Sequence, residues 1–527
     1  MEHRLGRTLR VFLVALAAAG FYRLAVVPVV EPRVRDTATA LEMTPEEAAA
    51  IRARADQRLA ALGDVFPPGS WERENPIMLE SRQMRLLFKD YHSLPDGRVN
   101  LVPCTLVVLP DRNRVAADGH PGRTLVLRAP QGAVLEFDEP LDLRQGRLAR
   151  LIGGSLRGQV TIRGTPTAAG AEDDVEIVTR DIELDELEVR TGEMVQFRYG
   201  RSSGSGRGLA ARLRPRPGGT GPAAGPGPGP DKGPNIGGVD SIRLDRDVKM
   251  RIEGVAGGML PGAAPPAVAP PPAADQPAAP PVLVTCRGAM CLNVSANVIT
   301  LEDHVDVIRA AADGATEQLS CDLLAIVLAR KPKTTDQGPA AARGGLEPVE
   351  IQAKGTPVVA RSTGGQLEAR AARLGYEIAT RRILLDGEEP VSLVARGSEM
   401  EARKIDYMPG AAGDPGTLMA IGPGWIRMRS EKSPPAQARW QQWLRMRPDG
   451  AGHVVSLAGD ADVTVETQGR LSAAEMHLWL DVVKGSRPAP ADPAAGPDLS
   501  GVRPSRLLAR GMVEADAEEV AARTDRL

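Results

Sequence analysis

Residues of the kind that do chemistry are few in this sequence, and their spacing is poor. Gly200-Arg201-Ser202-Ser203-Gly204 matches the Gly-x-Ser-x-Gly pattern of a nucleophile elbow. Such an elbow needs a strand before the serine and a helix after it. A strand-like segment precedes this one, but glycine, serine and proline follow, so the match reads as coincidence. Six histidines (His3, His92, His120, His304, His453, His477) are scattered, with no His-x-x-x-His or HExxH pair. His304 falls in a strand turn beside Asp303, and His477 falls inside a strand; both read as structural. Asp173-Asp174 and Glu388-Glu389 sit between strand-like segments, where solvated turns are expected. No phosphate loop or dinucleotide fingerprint is present. The expectation is a protein with no catalytic residue, no cofactor and no metal.

Four cysteines (Cys104, Cys286, Cys291, Cys321) suit an oxidising compartment. Cys286 and Cys291 are not spaced as a CxxC redox motif or a zinc knuckle. Buried small hydrophobes and one structural disulfide, with Cys286–Cys321 as a possible pair, are both open.

The elements around these residues follow from composition and pattern. The chain has 527 residues and a formal charge of −2, so bulk charge does not point to nucleic acid. Gly (56) and Pro (45) are concentrated unevenly, which predicts inserts between folded pieces. Arg outnumbers Lys 56 to 9, which reads as genome base composition. Collagen, coiled coil and polytopic membrane protein are excluded.

Val11 to Val30 is apolar except for Arg23 and follows Arg4, Arg7 and Arg10. Twenty helical residues span about 30 Å, a bilayer core. The basic flank should stay cytoplasmic and send the rest across. A cleavable signal centred on Val11–Gly20 is the alternative; apolar character resuming after Arg23 favours an uncleaved anchor. Thr44-Pro45-Glu46-Glu47 starts a helix that ends near Gly63. Beyond Trp71 nearly every segment reads as strand and turn, as in 98–109, 124–130, 159–164 and 175–190.

The resulting division is a cytoplasmic tip and transmembrane anchor (1–32), a helical stalk (33–74) and a β domain (75–210). A disordered linker (211–236) follows, then a second β domain (237–408) with a disordered Ala/Pro insert (257–281). A further, incomplete β unit (409–527) ends the chain. A strand–turn–strand theme recurs at 298–328, 382–408, 454–480 and 507–527. Its irregular period fits hairpins added to a sheet, not a solenoid.

LEFDEPLDL followed by GGSLRGQVTI, VEIVTRDIELDELEVRTGEMVQFRYG followed by GSGRGL, and residues 367–409 resemble the periplasmic bridge proteins of lipopolysaccharide transport. The region 75–210 resembles the LptC-type component, and the later units resemble LptA/OstA-type domains. The resemblance implies tandem open β-jellyrolls after a transmembrane helix, with lipid acyl chains held between two sheets. It implies a non-enzymatic bridge moving lipopolysaccharide or a similar acylated lipid toward the outer membrane. The implied location is the inner membrane, single-pass, with the bulk of the chain periplasmic. The implied partners are the lipid, the membrane and other transport components, including an ATPase-driven extractor, and no nucleic acid.

Alternation selects the groove candidates: Leu301, Val305, Val307, Leu324, Ile326, Leu328, Leu385, Val391, Leu393, Val463 and Val465. Two other readings use the same residues. One is an envelope scaffold whose β interior is filled; the other is an exported carbohydrate-active enzyme, which would need a carboxylate cluster. A reporter active only in the periplasm, fused after Pro32, is expected to be active and membrane-bound; a soluble product would show signal cleavage instead.

Overall fold

The computed structural model describes residues 66–527 apart from 110–123, 140–149, 166–173, 216–235, 254–279, 331–345, 411–415, 483–501 and eight gaps of one to three residues. The expected anchor at 11–30 and the helix starting at Thr44 lie outside the described residues. No helix among the described residues is long and apolar enough to cross a membrane.

Two units divide the chain, Met1–Pro76 and Ile77–Leu527. The described end of the first carries one 3-10 turn, Trp71–Arg73. All other regular elements among the described residues are strands, 26 in number. They pair antiparallel, each with its neighbours in sequence, from Ile77–Glu80 to Val520–Arg526. The first and last strands pair on one side only, so the sheet is open. At four positions two short strands share one place in the ladder. Leu125–Ala129 and Ala133–Phe137, for example, both pair with Val99–Val108.

Nearly every long strand breaks register near its middle. Leu156/Gln159, Glu302/Val305, Ser320/Leu323, Arg370/Arg373 and Ala458/Ala461 are examples, and the shifts fall at matching levels on successive strands. Bulges bend strands. Asp181, Asp247, Asp303 and Asp460 occupy positive φ at these points, a conformation that short polar side chains tolerate. Gly459 does so beside Asp460 (φ 81°). The corners line up across the sheet and fold it lengthwise into two facing walls. Apolar residues from both halves of a strand accordingly join one core, as Leu301 does with Val305 and Val307.

That interior has two parts. One runs from Leu79 to Ile182 and the other from Val195 to Val513. Buried Thr179 and Thr191 stand where they meet. The Thr179 hydroxyl donates to the Met194 carbonyl (3.0 Å), and the Thr191 hydroxyl donates to that of Arg180 (2.6 Å). A bulge frees carbonyls from the ladder, and a threonine can both reach one and face inward.

Three expectations change. The glycine-rich run after Ser202 is the strand Ser202–Pro215, which pairs with Ile236–Ile252; residues 211–215 and Ile236 are therefore sheet and not linker. No boundary falls at 408/409, because Met408 pairs with Thr417 and the core runs through. Cys286 and Cys321 are free thiols, as are Cys104 and Cys291. Thr285 pairs with Asp306 and Val305 with Cys321, so the two sulfurs flank the strand Val298–Ala310. Two strand spacings are about 10 Å, beyond the roughly 7 Å Cα limit for a disulfide.

Burial pushes the Cys104 and Cys321 thiols up to about 12 and raises Cys286. The folded state therefore holds these protons more tightly than the unfolded chain. Their contribution to stability is complete below about pH 9 and is lost as pH climbs toward 12. At pH 8.5 iodoacetamide is expected to label half-buried Cys291 first and the other three only in denaturant, read by mass spectrometry of the peptides.

Candidate functional site

The facing walls set the candidate residues side by side in rungs. On one wall, strand pairing joins Leu79, Leu86, Leu106, Leu127, Ile162, Ile177, Phe197 and Gly204. The same rung continues through Met250, Val284, Val307, Leu319, Ala360, Ala369 and Leu393. It ends through Met400, Ile426, Ala438, Val463, Leu471 and Ala515. Every member is apolar or glycine. Twenty steps of about 4.8 Å give a contour of about 95 Å.

The opposite wall carries Leu301, Leu324, Ala353, Leu374, Leu385, Ile405, Ala420, Leu444, Leu457, Met476 and Ala509 in one rung. Between the walls runs a continuous apolar interior, the trough, most of its members buried.

Of the candidates read from alternation, Leu301, Val305, Val307, Leu324, Leu385, Val391 and Leu393 lie in the apolar core, and Ile326 and Val463 pack against it. Val307, Leu393 and Val463 share the long rung, and Leu301, Leu324 and Leu385 share the opposite one. Val305 and Val391 lie one step nearer the bend and are fully buried. Ile326, Leu328 and Val465 lie toward the mouth and are half-buried. On Thr316–Arg330 burial falls toward one end: Leu319, Cys321 and Leu324 are covered, while Ile326 and Leu328 are partly open; on Leu367–Glu377 and Ser398–Met408 the inward side chains are buried from end to end.

Polar groups enter the trough at its mouth. Arg309 and Glu317 face each other at 3.9 Å and are largely buried, with buried Ser362 on the next strand. Tyr376 lies on the other wall, and burial raises its phenol.

The outer face differs throughout. Arg163 and Arg198 flank Glu176 at 2.8 and 3.3 Å, and Arg370 and Arg361 flank Glu368 at 2.7 and 3.4 Å. Hydrogen bonds from Arg163 and Arg370, the largest cause in each case, hold these carboxyls below the usual carboxylate range. Exposed pairs of this kind contribute about 0–1 kcal/mol each. Their main effect is to keep one face wet while the other is dry.

Chemistry-bearing residues meet once on that outer face. Ser456 Oγ lies 2.8 Å from His477 Nδ1, and His477 Nε2 lies 3.2 Å from Glu475. The strand Gly452–Val465 is paired on both sides, so the N–H groups around Ser456 are committed to the ladder. A serine nucleophile needs free donors for its oxyanion, and this flat surface supplies none from the backbone. Ser202 of the Gly-x-Ser-x-Gly match sits in a hairpin and accepts from the Glu253 amide (3.1 Å). His304 Nδ1 lies 2.5 Å from its neighbour Asp303 on an exposed corner.

Sequence reasoning passed over the small inward residues, Ala353, Ala360, Ala369, Ala402, Ala420, Ala438 and Ala461, and the buried Trp440 among them. Alternate alanines in LEARAARLG carried the signal for one of them, Ala369, and for buried Ala371 beside it. Small residues leave room for large neighbours on the adjoining strands, as at Gly424. A Cβ there would lie 2.6 Å from the Glu401 carbonyl and from Trp440 Cζ2.

No family model and no curated protein matches the chain. Among solved structures it is similar to LptH of Pseudomonas aeruginosa, described as the LptA-homologous periplasmic component of the lipopolysaccharide transport device. That match covers 24% of this chain and 76% of the other at 15% identity, with a TM-score of 0.17. A TM-score so low carries no argument about this protein.

Gly424→Ala is expected to destabilise by about 1–3 kcal/mol through overpacking. Gly192→Ala, where nothing lies within 4 Å of the new Cβ, should change stability far less. Urea unfolding midpoints of the two variants test the close approach.

Proposed function

We propose that this chain is a non-enzymatic lipid-binding bridge that carries lipopolysaccharide or a similar acylated lipid through the periplasm toward the outer membrane. In this reading the trough is a run of open β-jellyroll units joined edge to edge. Segment 11–30 anchors it in the inner membrane, and an ATPase-driven partner supplies lipid. The observation that carries the reading is the unbroken apolar rung from Leu79 to Ala515. A closed core needs apolar contact only locally; a path for several acyl chains needs it at every strand. The sequence resemblance to the lipopolysaccharide-transport bridge family supports the same reading.

A second reading, an envelope scaffold with a filled interior, is favoured by the complete burial of the floor residues Leu301, Val305 and Leu385. Half-buried Ile326, Leu328 and Val465 support the first reading, because guest chains need open apolar surface at which to enter.

The test is lipid extraction and mass spectrometry on the full chain purified after export. Multi-acylated glycolipid is expected to co-purify. Ile326→Asp should cut the bound lipid about tenfold, since a carboxylate against an acyl chain is left without a partner. Leu283→Asp, on the outer face and 44% exposed, should retain it. A folded protein that carries no lipid and takes none from added lipopolysaccharide would leave the scaffold.

A further inference from the structure

Trp440 ends the strand Ser433–Trp440, and its side chain faces into the trough beside the bend. It pairs with Gly424, and the ring lies over that bare backbone. Ala402, Ala461 and Ala473 surround the same level of the floor. Packing therefore accounts for the indole's bulk: one large ring fills the space that small neighbours leave.

Packing does not account for its N–H. Trp440 is 1% exposed, and its Nε1 has no hydrogen-bond partner. Two tryptophans on the outer face are treated differently. Trp425 Nε1 donates to Glu401 (3.0 Å), and Trp479 Nε1 donates to Asp449 (2.7 Å). A buried indole donor usually finds an acceptor. The side chains named beside Trp440, alanine and glycine, carry none, so an acceptor brought by a guest would meet an unpartnered donor.

We infer that Trp440 Nε1 donates to an oxygen borne on the acyl chains of the bound lipid, an ester or amide carbonyl or a chain hydroxyl. The trough then discriminates oxygen-bearing acylated lipids from plain hydrocarbon, with Trp440 as the positioning residue. This rests on the reading of the trough as a lipid path. A lipid that parts the walls along the line of bends reaches the floor where the indole lies.

The experiment follows the indole N–H signals of the full-length 15N-labelled protein by NMR. The Trp440 signal is identified by its loss in Trp440→Phe, which keeps an aromatic ring and removes the donor. If that variant does not fold, the slowest-exchanging indole identifies it, since Trp440 is the one buried tryptophan of the five. Lipid A is expected to move this signal downfield; hexadecane delivered from cyclodextrin, which has no acceptor, should not. Trp440→Phe should weaken lipid A binding about fivefold, the effect of one hydrogen bond, and leave hexadecane binding unchanged. Lipid A binding with an unmoved signal would overturn the inference, water being the acceptor, and leave the trough intact. Lipid A bound by neither protein would overturn the trough reading itself.

Discussion

A sheet without helices to lean on must cover its own apolar face, and every other feature of the described residues 77–527 follows from how it does so. One face of each strand is apolar, and among the described residues no second layer of helices shields it. The sheet can leave water only by folding onto itself. That requires each strand to bend at the same level as its neighbours. Bulges supply the bends, and aspartate or glycine at positive φ makes them tolerable. A bend misplaced by one residue would turn half a strand inside out, because side chains alternate with period two.

The rungs inherit their continuity from that alignment. Because each strand pairs with the next in sequence, an inward residue on one strand stands against an inward residue on the following one. The pattern propagates from Leu79 to Ala515 without a polar side chain. Size is adjusted locally: alanines narrow the space, Gly424 admits the Trp440 ring, and Thr179 and Thr191 mark the division between the two apolar interiors. The outer face obeys opposite rules, with arginines bracketing carboxylates in water.

An interior of this kind is suited to chains that need no fixed orientation. Hydrophobic contact is non-directional and scales with the area buried. Under the proposed function, aliphatic rungs would hold flexible acyl chains without selecting one pose, and a guest could shift by one strand spacing at little change in energy. The few polar groups inside then carry what selectivity there is: Arg309 with Glu317 at the mouth, and the indole of Trp440 at the floor. The Ser456–His477–Glu475 contact lies on the opposite side of the strand Gly452–Val465 from Leu457, with Ser456 itself buried.

Local pattern alone settled that residues beyond Trp71 are strands and which side chains share a face. Alternation is a property of neighbouring residues, so Val305 and Val307, or Leu324, Ile326 and Leu328, could be grouped before any contact was known. Local pattern failed where meaning depends on partners far away in sequence. Glycine and serine after Ser202 look like coil by composition, yet two flanking strands hold them in the sheet. Cys286 and Cys321 look available to each other until the strand between them sets their distance. Trp440 reads as one more core aromatic until its approach to Gly424, and the lack of an acceptor around its N–H, give it a particular place. Periodicity is written into the chain, whereas distance across a sheet exists only once the strands have paired.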